Sequence, residues 1–186
     1  HMTASAGRTS LALSDVQDPD YERFDTIGLN YRMSEVGAAV GLAQFERISD
    51  IVGRRIAVAK MFAKAVAGCN WIAPQYEPEG YKNSHYTFSF EYKGLDVLGI
   101  TWKEFYKMYV NVGGDGFYSA CVVPYLEPVF QNNENYNKVY TKGMCPTAED
   151  LQKKIMQFKT NYRSLSVAQK KADILETLID KLGRVK

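Results

Sequence analysis

An α+β fold, with a small antiparallel sheet packed against helices, is what this 186-residue sequence predicts, and three observations predict it. Two stretches, 51–66 and 168–182, carry apolar residues at spacings of three and four, the period of a helix with one buried face. The segment from His85 to Tyr92 instead alternates aromatic with smaller residues at period two, as a half-buried strand does. Helical and extended segments also lack the regular strand-helix-strand alternation of a parallel sheet.

Residues 1–10 are small, polar and without periodicity, and are expected to be disordered or foreign; His1-Met2 reads as a remnant of an expression vector. From Leu11 to Thr26 the chain is acidic and turn-prone around Asp18-Pro19-Asp20. The main domain is expected over 34–186. Ser34 is a good N-cap and Glu35 places a negative charge at the positive helix end. The helix that follows has Gly37 and Gly41 at i, i+4 among alanines, a nearly bare face that invites close approach by another element. It is expected to run on, kinked near Ser49-Asp50, to Val66, with Gly68 as the stop. A Pro/Gly/Tyr loop from Pro74 to Tyr81 leads into the aromatic strand.

Thr101 and Glu104 form a capping box, and Trp102, Phe105, Tyr106 and Tyr109 then make one helix face, closed by Gly113-Gly114. Phe117 to Val123 reads as a second strand ended by Pro124, and Gln131 to Tyr140 as a loop. A short helix is expected from Thr147 through Leu151 and Ile155. The last helix has Ser166 and Gln169 as a capping box, buries Ala168, Ala172, Leu175, Leu178, Ile179 and Leu182, and ends at Gly183.

Composition removes several function classes. Lys plus Arg is 23 and Asp plus Glu is 21, a net charge of only +2, which offers no electrostatic case for nucleic acid or an anionic membrane. No apolar run approaches the ~20 residues of a membrane-spanning helix. Three scattered cysteines, Cys69, Cys121 and Cys145, indicate neither a disulfide framework nor a metal site, and a reducing cytoplasm fits them best. Gly113-Gly114-Asp115-Gly116 lacks the lysine and spacing of a phosphate loop and reads as a helix-to-strand turn. Cys145, before a proline at a helix start, is expected to be structural.

Asn30 and Arg32 stand two positions apart on an extended segment, so their side chains share one side and suit a phosphate; the alternative is a local turn cap and ion pair. The run Asn30-Tyr31-Arg32-Met33-Ser34-Glu35, with Ala38-Ala39 and Gly41-Leu42-Ala43-Gln44 after it, resembles the segment opening the C-terminal domain of DegT/StrS-type nucleotide-sugar aminotransferases. Cys145-Pro146-Thr147-Ala148-Glu149 is similar to the Cys-Pro-x-Ala-Glu stretch near the end of that family. The resemblance covers residue 24 to the C-terminus and implies the small domain of a fold-type-I, pyridoxal-phosphate-dependent enzyme. It makes residues 11–33 the linker from an N-terminal large domain that carries the Schiff-base lysine and is missing here.

The resemblance further implies a homodimer in which Asn30, with Arg32 beside it, reaches the neighbouring subunit's cofactor phosphate. His85, Tyr86 and Tyr118 are then expected to face the nucleotide-sugar, although the wording around Tyr118 departs from the commoner family pattern. From the residues alone, His85 is a hydrogen-bonded structural histidine. The lysines lie on helix surfaces or in turns, so none is expected to be the Schiff-base residue, no catalytic residue is assigned, and the chain alone is expected to be inactive. The parent activity implied is amino transfer, typically from glutamate, to a nucleotide-linked keto-sugar. Two competing expectations are a non-catalytic binding or assembly module on the same fold, and a helical interaction domain using the Gly37/Gly41 face.

Overall fold

The computed structural model describes residues 2–3, 26–27, 33–118 and 122–184. In chain order the elements are β1 (Met2–Thr3), β2 (Thr26–Ile27), α1 (Glu35–Phe45), α2 (Ile48–Ala65), β3 (Ile72–Pro74), β4 (Thr87–Tyr92), α3 (Gly94–Leu98), α4 (Trp102–Asn111), α5 (Pro128–Gln131), α6 (Pro146–Gln152), β5 (Ile155–Lys159) and α7 (Leu165–Leu182). They fall into two compact units, His1–Ala38 with Tyr118–Ile155, and Ala39–Phe117 with Met156–Lys186.

The second unit holds an open sheet in the order β3-β4-β5, with β3 antiparallel to β4 and Ile72 opposite Tyr92. Along β4 every second side chain, Phe88, Phe90 and Tyr92, is buried, as the period-two pattern requires. Helices α2 and α7 pack on one another, and α4 joins α7. Phe158 of β5 is the centre of the aromatic core. Its ring stacks on Phe62 at 4.9 Å and on Phe90 at 5.1 Å, and meets Tyr109 and Phe117 edge-on at 5.4 Å each. Each such aromatic contact adds about 0.5–1.5 kcal/mol beyond the area buried.

Several expectations hold. The Ser34 hydroxyl accepts from the Gly37 N–H at 3.0 Å, and the Thr101–Glu104 capping box closes in both directions. The buried face of α7 comprises Ala168, Ala172, Leu175, Leu178 and Ile179, with Leu182 half-buried. The close of α4 is also as expected. A Cβ on Gly114 would stand 2.5 Å from the Tyr109 ring, so only glycine lets the chain turn there.

Other expectations are corrected. The helix from Ser34 breaks at Glu46-Arg47 instead of bending at Ser49, so α1 and α2 are separate. Among the described residues, Gly41 has open space where a Cβ would sit. The short helix stops at Gln152, and Ile155 starts β5. Leu151 and Ile155 mimic a helical repeat, but Met156 and Phe158 alternate into the core and the sheet claims the segment. Helix α7 begins earlier than the Ser166 cap, with Ser164 preceding it; the two hydroxyls bond each other at 2.8 Å, and Gln169 donates to Asp173. The strand read over Phe117 to Val123 partly lies outside the described residues. Of the rest, Phe117 is core, Tyr118 makes an isolated bridge and Val123 precedes a 3-10 turn.

In the first unit β1 pairs antiparallel with β2, Met2 opposite Ile27. The expected loop after Gln131 is a run of turns. The Gln131 amide donates to the carbonyls of Tyr125 and Tyr140 at 2.6 and 2.9 Å, and the rings of Phe130, Tyr136 and Tyr140 cluster. The Tyr125 hydroxyl donates to Glu149 at 2.5 Å and accepts from the Cys145 N–H at 2.9 Å, which ties the start of α6 into the same unit. Burial and the Glu149 carboxylate push the Tyr125 phenol up to about 12.

Candidate functional site

Just before β4 the backbone makes a sharp bend that the sequence does not announce. His85 has φ of 47°, in the left-handed region that a non-glycine residue enters at a cost. Local and distant bonds hold it there. The His85 N–H donates to Asn83 Oδ1 at 2.8 Å, Asn83 Nδ2 donates to Glu77 Oε1 at 3.2 Å, and His85 Nε2 meets the same Glu77 oxygen at 3.0 Å. Just past β5 the buried Thr160 hydroxyl lies 2.6 Å from the His85 carbonyl and 3.0 Å from that of Tyr86. Arg55 of α2 donates from Nη1 to the Tyr86 carbonyl at 2.8 Å and to Thr160 Oγ1 at 3.1 Å. A hydroxyl has one proton, so Thr160 gives it to a carbonyl and receives from Arg55.

The consequence separates two residues that the sequence places together. The His85 side chain is 12% exposed and turned onto Glu77, whereas Tyr86 is 80% exposed with the Arg55 guanidinium 5.4 Å from its ring centroid. Both lie outside β4, which starts at Thr87. Tyr118 is half-buried and belongs to the other unit. Asn30 and Arg32 lie outside the described residues. Arg55 and Thr160 escaped the sequence reading, because one sits on a helix and the other at a strand end, 105 residues apart. A buried threonine after an alternating strand is the only hint the sequence holds.

The Gly113–Gly116 turn carries a carboxylate network instead of an anion site. Asp115 accepts from Lys159 at 2.7 Å, Lys171 at 3.1 Å and the Tyr162 hydroxyl at 2.8 Å. Partial burial alone would raise its carboxyl, but these bonds and the Lys159 charge outweigh that and hold it below the usual carboxylate range. Among the described residues no group of three histidine, cysteine or acidic side chains is placed to hold a metal ion, and no helix is long and apolar enough to cross a membrane.

Known proteins give this geometry its context. Over 42 residues, 23% of this chain and 12% of the relative, the sequence is 43% identical to GDP-perosamine synthase of Escherichia coli O157:H7. Two solved structures share the fold. The aminotransferase from Psychrobacter cryohalolentis aligns with a TM-score of 0.66 and 18% identity over 97% of this chain and 47% of its own. DesV of S. venezuelae, solved with a ketimine intermediate, aligns with a TM-score of 0.61 and 20% identity over 87% and 40%. The chain thus spans less than half the length of these proteins. A family model, that of the DegT/DnrJ/EryC1/StrS aminotransferases, matches residues 9–171, and the chain belongs to that family.

Proposed function

We propose that this chain is the C-terminal part of a longer pyridoxal-phosphate-dependent sugar aminotransferase, which moves an amino group, typically from glutamate, to a keto-sugar carried on a nucleotide. The observation that carries the reading is the family match over residues 9–171. The coverage supports the incompleteness, since nearly all of this fold corresponds to 40–47% of the two solved chains. Helix α1 supports it too. None of its 11 residues is buried, although Val36, Val40, Leu42 and Phe45 are apolar, and a helix of this composition is stable when something covers it. The large domain is the proposed cover, and 11–33 the linker to it.

The Schiff-base lysine of the cofactor is not assigned to any lysine of this chain. Pyridoxal phosphate supplies an electron sink for amino transfer and needs a lysine beside open space for its ring. Lys159 and Lys171, which face the Gly113–Gly116 turn, are both bound to Asp115. The lysine is assigned to the large domain. In the proposed cytoplasmic homodimer Asn30 and Arg32 hold the phosphate of the neighbouring subunit's cofactor. Tyr86, open at the surface, contacts the nucleotide-sugar, and Tyr118 is a second contact. His85 positions Tyr86 by fixing the bend before it.

The test compares the chain with the same chain extended by its upstream coding sequence. The extended protein is expected to show a cofactor absorbance band that borohydride removes, and glutamate-dependent amination of a nucleotide-linked keto-sugar. The 186-residue chain should show neither. A borohydride-reducible adduct and amino transfer by the short chain, or an upstream frame without a cofactor domain, would sink the proposal.

A further inference from the structure

Helix α7 meets the end of α4 along a groove of about 230 Å³ lined by Val112, Asp173, Ile174, Thr177, Leu178 and Lys181, all within the second compact unit. Asp173, Thr177 and Lys181 follow one another at steps of four and so form one stripe along α7. The groove between them and α4 is apolar. Leu178 is buried and Ile174 half-buried against the core, while Val112 on the opposite rim is 50% exposed. Met108, one turn before Val112, is exposed as well and extends the apolar strip.

The two charges stand at opposite ends of the stripe. Asp173 accepts from Gln169 at 2.7 Å, Lys181 lies in the last turn of α7, and neither makes an ion pair among the described residues. Glu176 and Asp180, the other carboxylates of that half of α7, are occupied by Arg184. Eight residues separate Asp173 from Lys181, about 12 Å along the axis, with Thr177 midway. The Thr177 hydroxyl donates back to the Asp173 carbonyl at 2.8 Å, so it needs no further partner when water is excluded. A stripe with a carboxylate at one end and an ammonium at the other complements itself when turned end for end. A two-fold axis through Thr177 sets each Asp173 opposite the Lys181 of another copy, twice in each pair.

We propose that this groove docks a second copy of the chain as an antiparallel pair of α7 helices, with Asp173–Lys181 contacts at both ends and Val112 and Ile174 covered between them. One helix face buries less than the ~1,200–2,000 Å² of a stable interface, so the pairing is weak by itself and gains strength at high local concentration. It is separate from the proposed contact through Asn30 and does not rest on the amino-transfer reading.

Sedimentation of the 186-residue chain from ~20 μM to ~1 mM tests it. A monomer–dimer equilibrium is expected, weakened by added salt. Asp173→Lys alone, or Lys181→Asp alone, sets like charges opposite one another at both ends and should weaken dimerisation at least about tenfold. An equimolar mixture of the two variants should dimerise again, because each end then holds a lysine opposite an aspartate. The double swap within one chain should recover too, and misfolded variants cannot recover on mixing. A chain that stays monomeric over this range, single variants that associate as the original does, or a mixture that does not recover would overturn the assignment.

Discussion

Replacing Asp115 by asparagine removes a charge while keeping the shape of the turn that closes α4, and the structure sets the size of the effect. Two lysines and a tyrosine converge on the carboxylate, whose side chain is 26% exposed. Each lysine pair at this exposure is worth about 0.5–1 kcal/mol after solvent screening, and the Tyr162 bond loses about 0.5 kcal/mol when its acceptor becomes neutral. The expected destabilisation at pH 7 is therefore about 2 kcal/mol, or about 4–8 °C in Tm for a chain of this length. The sign of the pH dependence follows from the depressed carboxyl. Its contribution is complete above the unfolded value of about 3.9 and is lost as pH falls through the lower folded value. Urea unfolding of both proteins across that range should show the gap between them narrowing towards acid. A gap under about 0.5 kcal/mol at pH 7, or one that does not change on acidification, would refute the idea that Asp115 acts as a charged partner.

Phe158→Ala opens the centre of the aromatic core and should cost about 3–5 kcal/mol, seen as a large drop in the urea midpoint with the slope unchanged. Thr101→Ala removes the N-cap of α4 and should cost about 1 kcal/mol; Thr101→Ser should recover most of it in the same assay. Gly114→Ala drives a methyl into the Tyr109 ring and should cost about 1–3 kcal/mol, with a changed Tyr109 signal in near-ultraviolet circular dichroism as the local check. Thr160→Val removes the hydroxyl that bonds the 85–86 carbonyls while keeping the volume. It should cost about 1–3 kcal/mol and shift the Tyr86 ring resonances in NMR, which a purely global effect would not single out.

Much of the fold was legible because local physics decided it. The α+β class, the β4 alternation, the Thr101 cap and the apolar face of α7 follow from spacing and capping chemistry that a short window of residues contains. The family too was legible, from a short run around Asn30 and a second around Cys145. Tertiary structure decided the rest. Ile155–Lys159 carries both a helical and a strand period, and only the stacking of Phe158 on Phe62 and Phe90 selects the strand. The three residues of β3 are too few to show a pattern and become a strand by pairing with β4. His85 and Tyr86 look alike in sequence, yet Thr160 and Arg55, distant along the chain, turn one onto Glu77 and leave the other in the open. The groove beside α7 is divided in the same way. Asp173, Thr177 and Lys181 share a helical period, but only the packing of α4 on α7 sets Val112 across from them.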